Sequence, residues 1–303
     1  MTGEDSIAPS GVAHVVLTRF NVPTPGFESV VRAKEGWLRS RVALFERYCL
    51  PSMRRQVGAR AEWIIYFDPQ SPDWLRQWID DVNDGVFTPV FRSSVSYEER
   101  MADIRRVAGR APGRMLITTN LDNDDALASD FLDRVQRAVV PGVRTAIYLA
   151  DGLIAEAKRL YHRVDRDNAF CSVAEPWDAP GDPPVTCWLR PHNRLGETMA
   201  VRSLRGEPGW LQVVHGENVS NRVRGRLVSP KAFRGRFDPM LAAFPEPGLG
   251  RLARDRFVSG PLRTGREVAR GAAKRLAVAL YGPDAIDTVK LRAARLRPGR
   301  SRR

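Results

Sequence analysis

Asp122-Asn123-Asp124-Asp125 follows almost directly on the apolar run Met115-Leu116-Ile117-Thr118-Thr119. Three carboxylates within four residues repel one another unless a cation neutralises them. Hard oxygen donors suit Mg²⁺ or Mn²⁺, which takes one or two carboxylates and completes its shell with water and phosphate oxygens. Ligands of open α/β sheets bind beyond the carboxyl ends of strands, so an Asp-x-Asp at a strand end points to a metal–diphosphate site. The simpler alternative is that Asp124 or Asp125 caps a helix beginning near Ala126.

The elements around this cluster alternate in type. His14–Thr18, Trp63–Phe67, Val86–Phe91 and Met115–Thr119 are apolar runs of strand length, and helical spacings fill the intervals, among them Trp37 to Tyr48 and Tyr97 to Ala108. Residues 13–140 therefore read as a repeated β-loop-α series, an α/β fold with a nucleotide-binding sheet and crossover helices. Beyond it, Asp151-Gly152 lies between two β-rich runs and predicts a two-residue hairpin. The segment from Pro176 to Pro184 predicts a surface loop.

Of the 48 Lys and Arg residues, only five are Lys, and residues 250–303 hold 15 basic against 4 acidic residues, so the tail carries eleven of the thirteen net positive charges. The body is close to neutral, which argues against a nucleic-acid partner. The basic tail, with an apolar stripe at Val268, Ala272, Leu276, Ala279 and Leu280, suits an anionic membrane surface or packing on the body. Cys49, Cys171 and Cys187 are far apart and show no CxxC spacing, which disfavours a disulfide framework and a zinc site. With no apolar leader at the N-terminus and no run long enough to span a bilayer, the expected location is cytoplasmic, at most peripheral to the inner membrane face.

Three stretches resemble the bacterial rhamnosyltransferase family, nucleotide-sugar glycosyltransferases of the GT-A type: His14 to Asn21, Trp63 to Asp68, and Thr119 to Ala126. Trp210 to Asn218 resembles that family's late motif, and the likeness spans about residues 12–225. It implies a GT-A-like domain over 12–249, with a nucleotide-binding half at 12–140 and an acceptor half at 141–249, followed by the Arg-rich helical tail at 250–303. It implies a dTDP- or UDP-sugar donor, L-rhamnose being one such sugar, and a saccharide or lipid-linked acceptor. Thr18, Arg19 and Asn21 would contact the nucleotide, Asp68 the base or ribose, and Asp122 the ribose and the metal. Asp124 and Asp125 would hold Mn²⁺ or Mg²⁺ across the diphosphate, with His215 as a further ligand and Asn218 and Asn221 near the diphosphate or sugar. Where the family carries an Arg before the acidic motif, this chain has Asn120.

Glycosyl transfer also needs a group that takes the acceptor's proton. Glu175, after the strand-like Asn168–Ala174, and Asp151 are the candidates; for Asp151 turn chemistry is an equal explanation. Trp177, Trp188 and Trp210 read as packing before sugar platforms. Two other classes compete: a non-enzymatic nucleic-acid or membrane-surface binder acting through the tail, and a metal-dependent phosphoesterase. The latter needs a second His/Asp cluster, and the chain has only four scattered His.

Overall fold

The computed structural model describes residues 11–23, 36–109, 115–177, 183–215, 224–263 and 265. Within them the chain runs Val12–Arg19 (β1), Trp37–Leu44 (α1), Leu50–Arg54 (α2), Glu62–Phe67 (β2), Asp73–Val82 (α3), Thr88–Phe91 (β3), Tyr97–Ala108 (α4), Met115–Asn120 (β4), Ala126–Leu127 (β5) and Phe131–Arg137 (α5). Then follow Thr145–Leu149 (β6), Asp151–Glu156 (β7), Arg159–Val164 (β8), Ser172–Pro176 (β9), Ala200–Leu204 (β10), Trp210–Val214 (β11) and Arg226–Val228 (β12). The expected helical pieces at 265–280 and 285–295, with the apolar stripe of the tail, lie outside the described residues but for residue 265, as do Asn218, Asn221 and most of the Pro176–Pro184 loop.

Two sheets result. The larger has the order β10-β6-β9-β4-β1-β2-β3. Its strands run parallel except β9, which is antiparallel to both β4 and β6. The β-loop-α series thus forms the parallel sheet that its pattern predicts, with strands from beyond residue 141 extending it. Alternation along the strands sorts its two faces. Val16, Trp63, Ile65 and Phe67 pack with Phe45, Leu50, Leu75, Ile79 and Phe131 from α1, α2, α3, α5 and their neighbours. Val15, Leu17, Ile64 and Tyr66 pack with Met101 and Ile104 of α4 and with Cys187 and Leu195. Helix α4 starts where the sequence places it, because Ser96 accepts the Glu99 amide and the Glu99 carboxylate accepts the Ser96 amide. The helix begun at Trp37 runs through Pro51 rather than stopping there. A wider turn at Phe45–Cys49, closed from Leu50 N–H to the Phe45 carbonyl, precedes the proline, so the helical register changes just where Pro51 has no N–H to donate.

The second sheet has the order β12-β8-β7-β11-β5. One face packs on Phe237, Met240, Leu241 and Phe244. Here the hairpin expectation is corrected. Asp151-Gly152 begins β7, and the chain passes at Ala150 from the larger sheet into the smaller. Gly152 is needed for proximity instead of turning: a Cβ there would stand 2.0 Å from the Trp210 ring. The true hairpin is β7–β8, turned at Ala157-Lys158 with φ of 45° and 62°. Among the described residues no helix is long and apolar enough to cross a membrane.

Candidate active site

The acidic turn joins the two sheets: β4 ends at Asn120 in one, and β5 begins at Ala126 in the other. Ala126 is therefore a strand residue paired with Leu211, and no helix starts there for Asp124 or Asp125 to cap. The turn is fixed from several sides. Leu121 N–H donates to the Leu17 carbonyl, Asp125 N–H to that of Asp122, and the Asn123 amide to the carbonyls of Arg19 and Phe20 at 3.2 and 2.7 Å. These bonds place the carboxylates at the carboxyl ends of β1 and β4.

The carboxylates differ in setting. Asp124 is 5% exposed. Its Oδ2 lies 2.9 Å from His215 Nε2 and 2.5 Å from Arg41 Nη1. Burial alone would raise its pKa, but the His215 hydrogen bond and the Arg41 charge hold it below the ordinary carboxylate value. Asp125 is buried and accepts the Val213 N–H at 2.7 Å, which fastens β11 to the turn. Burial, then the charges of Asp124 and Asp122, push its carboxyl well up. Asp122 is reached by solvent although protein crowds it on most sides. That crowding and the Asp124 charge raise it, opposed by the Asn120 amide at 3.4 Å.

Among the described residues no group of three or more His, Cys, Asp or Glu side chains is already gathered to hold a metal. The donor set nevertheless fits a hard divalent cation. Two ligands at right angles on an octahedral ion with bonds of ~2.1 Å stand about 3 Å apart, and Asp124 Oδ2 and His215 Nε2 are 2.9 Å apart. The geometry thus brings Asp122, Asp124 and His215 to one end of the sheet, while the Asp125 carboxylate is committed to β11.

The residues expected at the nucleotide are placed around the same strand ends, but with local duties. Thr18 is buried, its hydroxyl accepting from Trp63 Nε1 at 2.9 Å. Asn21 bridges strand ends, accepting the Asp68 amide and donating to Ser71 Oγ, each at 3.0 Å. Asp68 Oδ1 accepts the Gln70 amide at 2.8 Å, which is turn chemistry. Arg19 is exposed, and its guanidinium lies 4.1 Å from the centre of the Trp188 ring. Trp188 in turn donates to Asn120 Oδ1 at 2.7 Å, so this tryptophan stands beside the cluster. Trp177 and Trp210 are buried packing residues.

The two expected bases are not brought to this place. Glu175 pairs across the sheet with Leu116, four residues before the end of β4, roughly 13 Å along the strand. Both its oxygens are held by Arg144, at 2.6 and 3.0 Å. Asp151 stands opposite the start of β11, and Arg205, the Gly206 amide and His162 surround its carboxylate at 2.7, 3.0 and 3.1 Å. Four residues of β7, about 13 Å, separate it from Ala155, the register partner of Val213. Their carboxylates serve ion pairs, that of Glu175 within the larger sheet and that of Asp151 where the chain passes from one sheet to the other. Arg41 is not marked by the sequence for this site, and Trp188 reads there as packing before a sugar platform. Arg41 is one of several arginines in a helix without a marked apolar face, and Trp188 lies in an irregular stretch, so neither carries a local signal.

A family model described as "Putative rhamnosyl transferase" matches residues 13–227. No curated protein matches the chain. Among solved structures, S. aureus TarS residues 1–349 in complex with UDP-GlcNAc is similar at 9% identity and a TM-score of 0.40, covering 73% of this chain and 63% of that one. A putative nucleotide-diphospho-sugar transferase from Desulfovibrio desulfuricans G20 is similar at 14% identity and a TM-score of 0.33, covering 67% of this chain and 81% of that one. This chain thus spans less than two thirds of the TarS chain. With the family match extending over well over half of the residues and including the acidic turn, the chain belongs to the rhamnosyl transferase family.

Proposed function

We propose that this protein is a divalent-cation-dependent glycosyltransferase that moves a sugar, with L-rhamnose from a dTDP donor as the first candidate and UDP-sugars as the second, to a saccharide or lipid-linked acceptor. The observation that carries the reading is the approach of Asp124 Oδ2 and His215 Nε2 to 2.9 Å at the carboxyl end of β4. Residues 12–249 form the catalytic unit on this view, since strands from both halves share one sheet.

Asp122, Asp124 and His215 would hold Mn²⁺ or Mg²⁺, and the ion would neutralise the diphosphate as it leaves the sugar. Arg19, Asn21 and Asp68 line the strand ends that a nucleotide would meet, with Arg19 carrying the charge for a phosphate and the buried Thr18 supporting them from beneath. For the acceptor's proton we favour Asp167 over Glu175 and Asp151. Partial burial and the Asp165 charge raise its pKa. Its loop is also tied to the end of β4 by Asn120 donating to the Ala169 carbonyl at 2.9 Å. His192 Nδ1 lies 2.5 Å from the Asp167 carbonyl.

A lipid-linked acceptor would place the enzyme at the inner membrane face. Phe257 and Leu262 are 74% and 58% exposed at the start of the Arg-rich region, beside Arg256, as interfacial helices present apolar and cationic groups together. Salt-reversible co-sedimentation with anionic vesicles, lost on truncation at residue 249, is the expected result.

The deciding experiment is a panel of nucleotide sugars screened for thermal stabilisation with and without Mn²⁺. A ligand at a hundred times its dissociation constant adds about 2.7 kcal/mol. The reading requires a Mn²⁺-dependent shift that disappears in Asp124→Asn; shifts of equal size in that variant refute it.

A further inference from the structure

Arg41 approaches Asp124 unlike most of the arginines that meet buried carboxylates; among the described residues Arg263 comes nearest to it, reaching Asp255 through Nη2 alone with its Nε unpartnered, but it spans both oxygens at 2.6 and 2.8 Å. Arg92 grips Asp103 with two nitrogens at 2.9 Å each, Arg144 grips Glu175 at 2.6 and 3.0 Å, and Arg205 grips Asp151 at 2.7 and 3.3 Å. These two-pronged pairs fasten strands, loops and helices. Arg41 instead reaches Asp124 with Nη1 alone, at 2.5 Å, and has only a long 3.3 Å contact from the same atom to Asn123 Oδ1. Its Nε is buried and has no hydrogen-bond partner. A guanidinium that is 13% exposed, with the centre of the Trp37 ring 5.3 Å away, is therefore hydrogen-bonded through one nitrogen only, with donor capacity unused.

The point at which it is held matters. Arg41 Nη1 and His215 Nε2 converge on one oxygen, Asp124 Oδ2. A metal ion bonded to that oxygen would lie within a few ångströms of the guanidinium, where two cations repel. Ion and arginine therefore compete for the carboxylate. If the arginine is displaced with nothing to receive it, a nearly buried positive charge is left unpaired, which is costly. A diphosphate entering with the ion removes that cost, because it offers the guanidinium several acceptor oxygens and a fork-shaped match.

We propose that Arg41 is a tethered cation that occupies the metal's place at Asp124 in the empty site and transfers to the donor diphosphate when ion and nucleotide enter together. Arg41 thereby makes binding of the bare ion weak and couples ion binding to the nucleotide. The proposal rests on the metal reading given above and adds to it a residue of helix α1.

The test uses full-length protein, Mn²⁺ alone followed by electron paramagnetic resonance of the free ion, and dTDP and UDP in EDTA followed by calorimetry. Arg41→Gln keeps a hydrogen-bond donor for Asp124 and removes the charge. It should bind Mn²⁺ alone about tenfold more tightly than wild type, or better, and bind the diphosphates in EDTA more weakly. Arg41→Lys, which retains the charge, should hold Mn²⁺ affinity near the wild-type value. If Arg41→Gln melts lower but binds Mn²⁺ no more tightly, Arg41 is a strut and the proposal is overturned while the metal reading stands. If wild type, Arg41→Gln and Asp124→Asn all take up Mn²⁺ equally, both fall; if none takes up the bare ion, the Arg41 proposal falls and the metal reading is left to the nucleotide-sugar screen.

Discussion

His14 gives the protein an acid-sensitive joint whose size can be worked out. It lies in β1 at 5% exposure, with Nε2 2.8 Å from Thr119 Oγ1, and Thr119 lies 2.6 Å from Ser172 Oγ. The Gln136 amide faces Nδ1 at 3.3 Å, which assigns the single ring proton to Nε2 and makes Thr119 the donor to Ser172. Neither ring nitrogen has room for a second proton beside these partners, and burial lowers the pKa to about 3. The unfolded chain takes up a proton near pH 6.5. Below that pH the unfolded state binds more protons, so the contribution of His14, complete above 6.5, is lost as pH falls towards the folded value. The slope is about 1.4 kcal/mol per pH unit, or about 2 kcal/mol by pH 5.0. For a chain of this size that is a fall in Tm of roughly 3 °C. Replacing His14 with Gln keeps an amide near Thr119 and removes the titration. Urea unfolding of both proteins from pH 7.5 to 4.5 should give a wild-type-minus-variant difference that falls by about 2 kcal/mol between about pH 6.5 and 5.0, whatever its value at neutrality. Acid-labile carboxylates such as Asp124 are common to both proteins and cancel in the difference. Parallel curves across that range would show that His14 is not held neutral and would refute the argument.

Other substitutions separate the roles assigned above. Gly152→Ala drives a Cβ to 2.0 Å from Trp210 and should destabilise by about 3 kcal/mol or more in chemical denaturation, since neither strand can retreat without breaking the smaller sheet. Glu175→Gln leaves Arg144 without its carboxylate and should cost about 2–4 kcal/mol of stability, with turnover per folded molecule unchanged; a large loss of kcat at full stability would instead make Glu175 a catalytic group. Asp167→Asn should lower kcat a hundredfold or so, as loss of a general base does, with little change in nucleotide affinity or Tm. Asp125→Asn still accepts the Val213 amide and should retain Mn²⁺ binding. Because burial and its neighbours raise Asp125, this variant should gain stability on wild type as pH rises above about 4, the ordinary carboxylate value.

What could be read from the sequence was what is written locally. Strands β1, β2 and β4 are short runs of apolar and β-branched residues, α4 announces itself through Ser96 and Glu99, and the acidic turn is contiguous. Each depends on neighbours in the chain, so spacing reveals it. Asp151-Gly152 misled because its composition suits a turn, whereas its glycine answers a ring from β11, 58 residues later. The real turn, Ala157-Lys158, adopts positive φ without glycine or asparagine and gave no warning. The partners of Asp124, Glu175 and Asp151 were hidden for a related reason. An arginine is one of 48 basic residues until the fold selects which carboxylate it meets.

The link from Asp124 to His215 spans 91 residues, and that from Arg41 to Asp124 spans 83. The His215 contact cannot form until β11 has found β7 in parallel register and β5 in antiparallel register, pairings that close long loops and are therefore slow. A chain still emerging from the ribosome will carry the acidic turn well before its imidazole exists. In refolding, tryptophan burial around Phe45, Trp63 and Phe87 should consequently recover ahead of ligand binding. A preparation can then report native-like fluorescence while its site is still incomplete, so the fraction of competent molecules has to be counted by ligand titration.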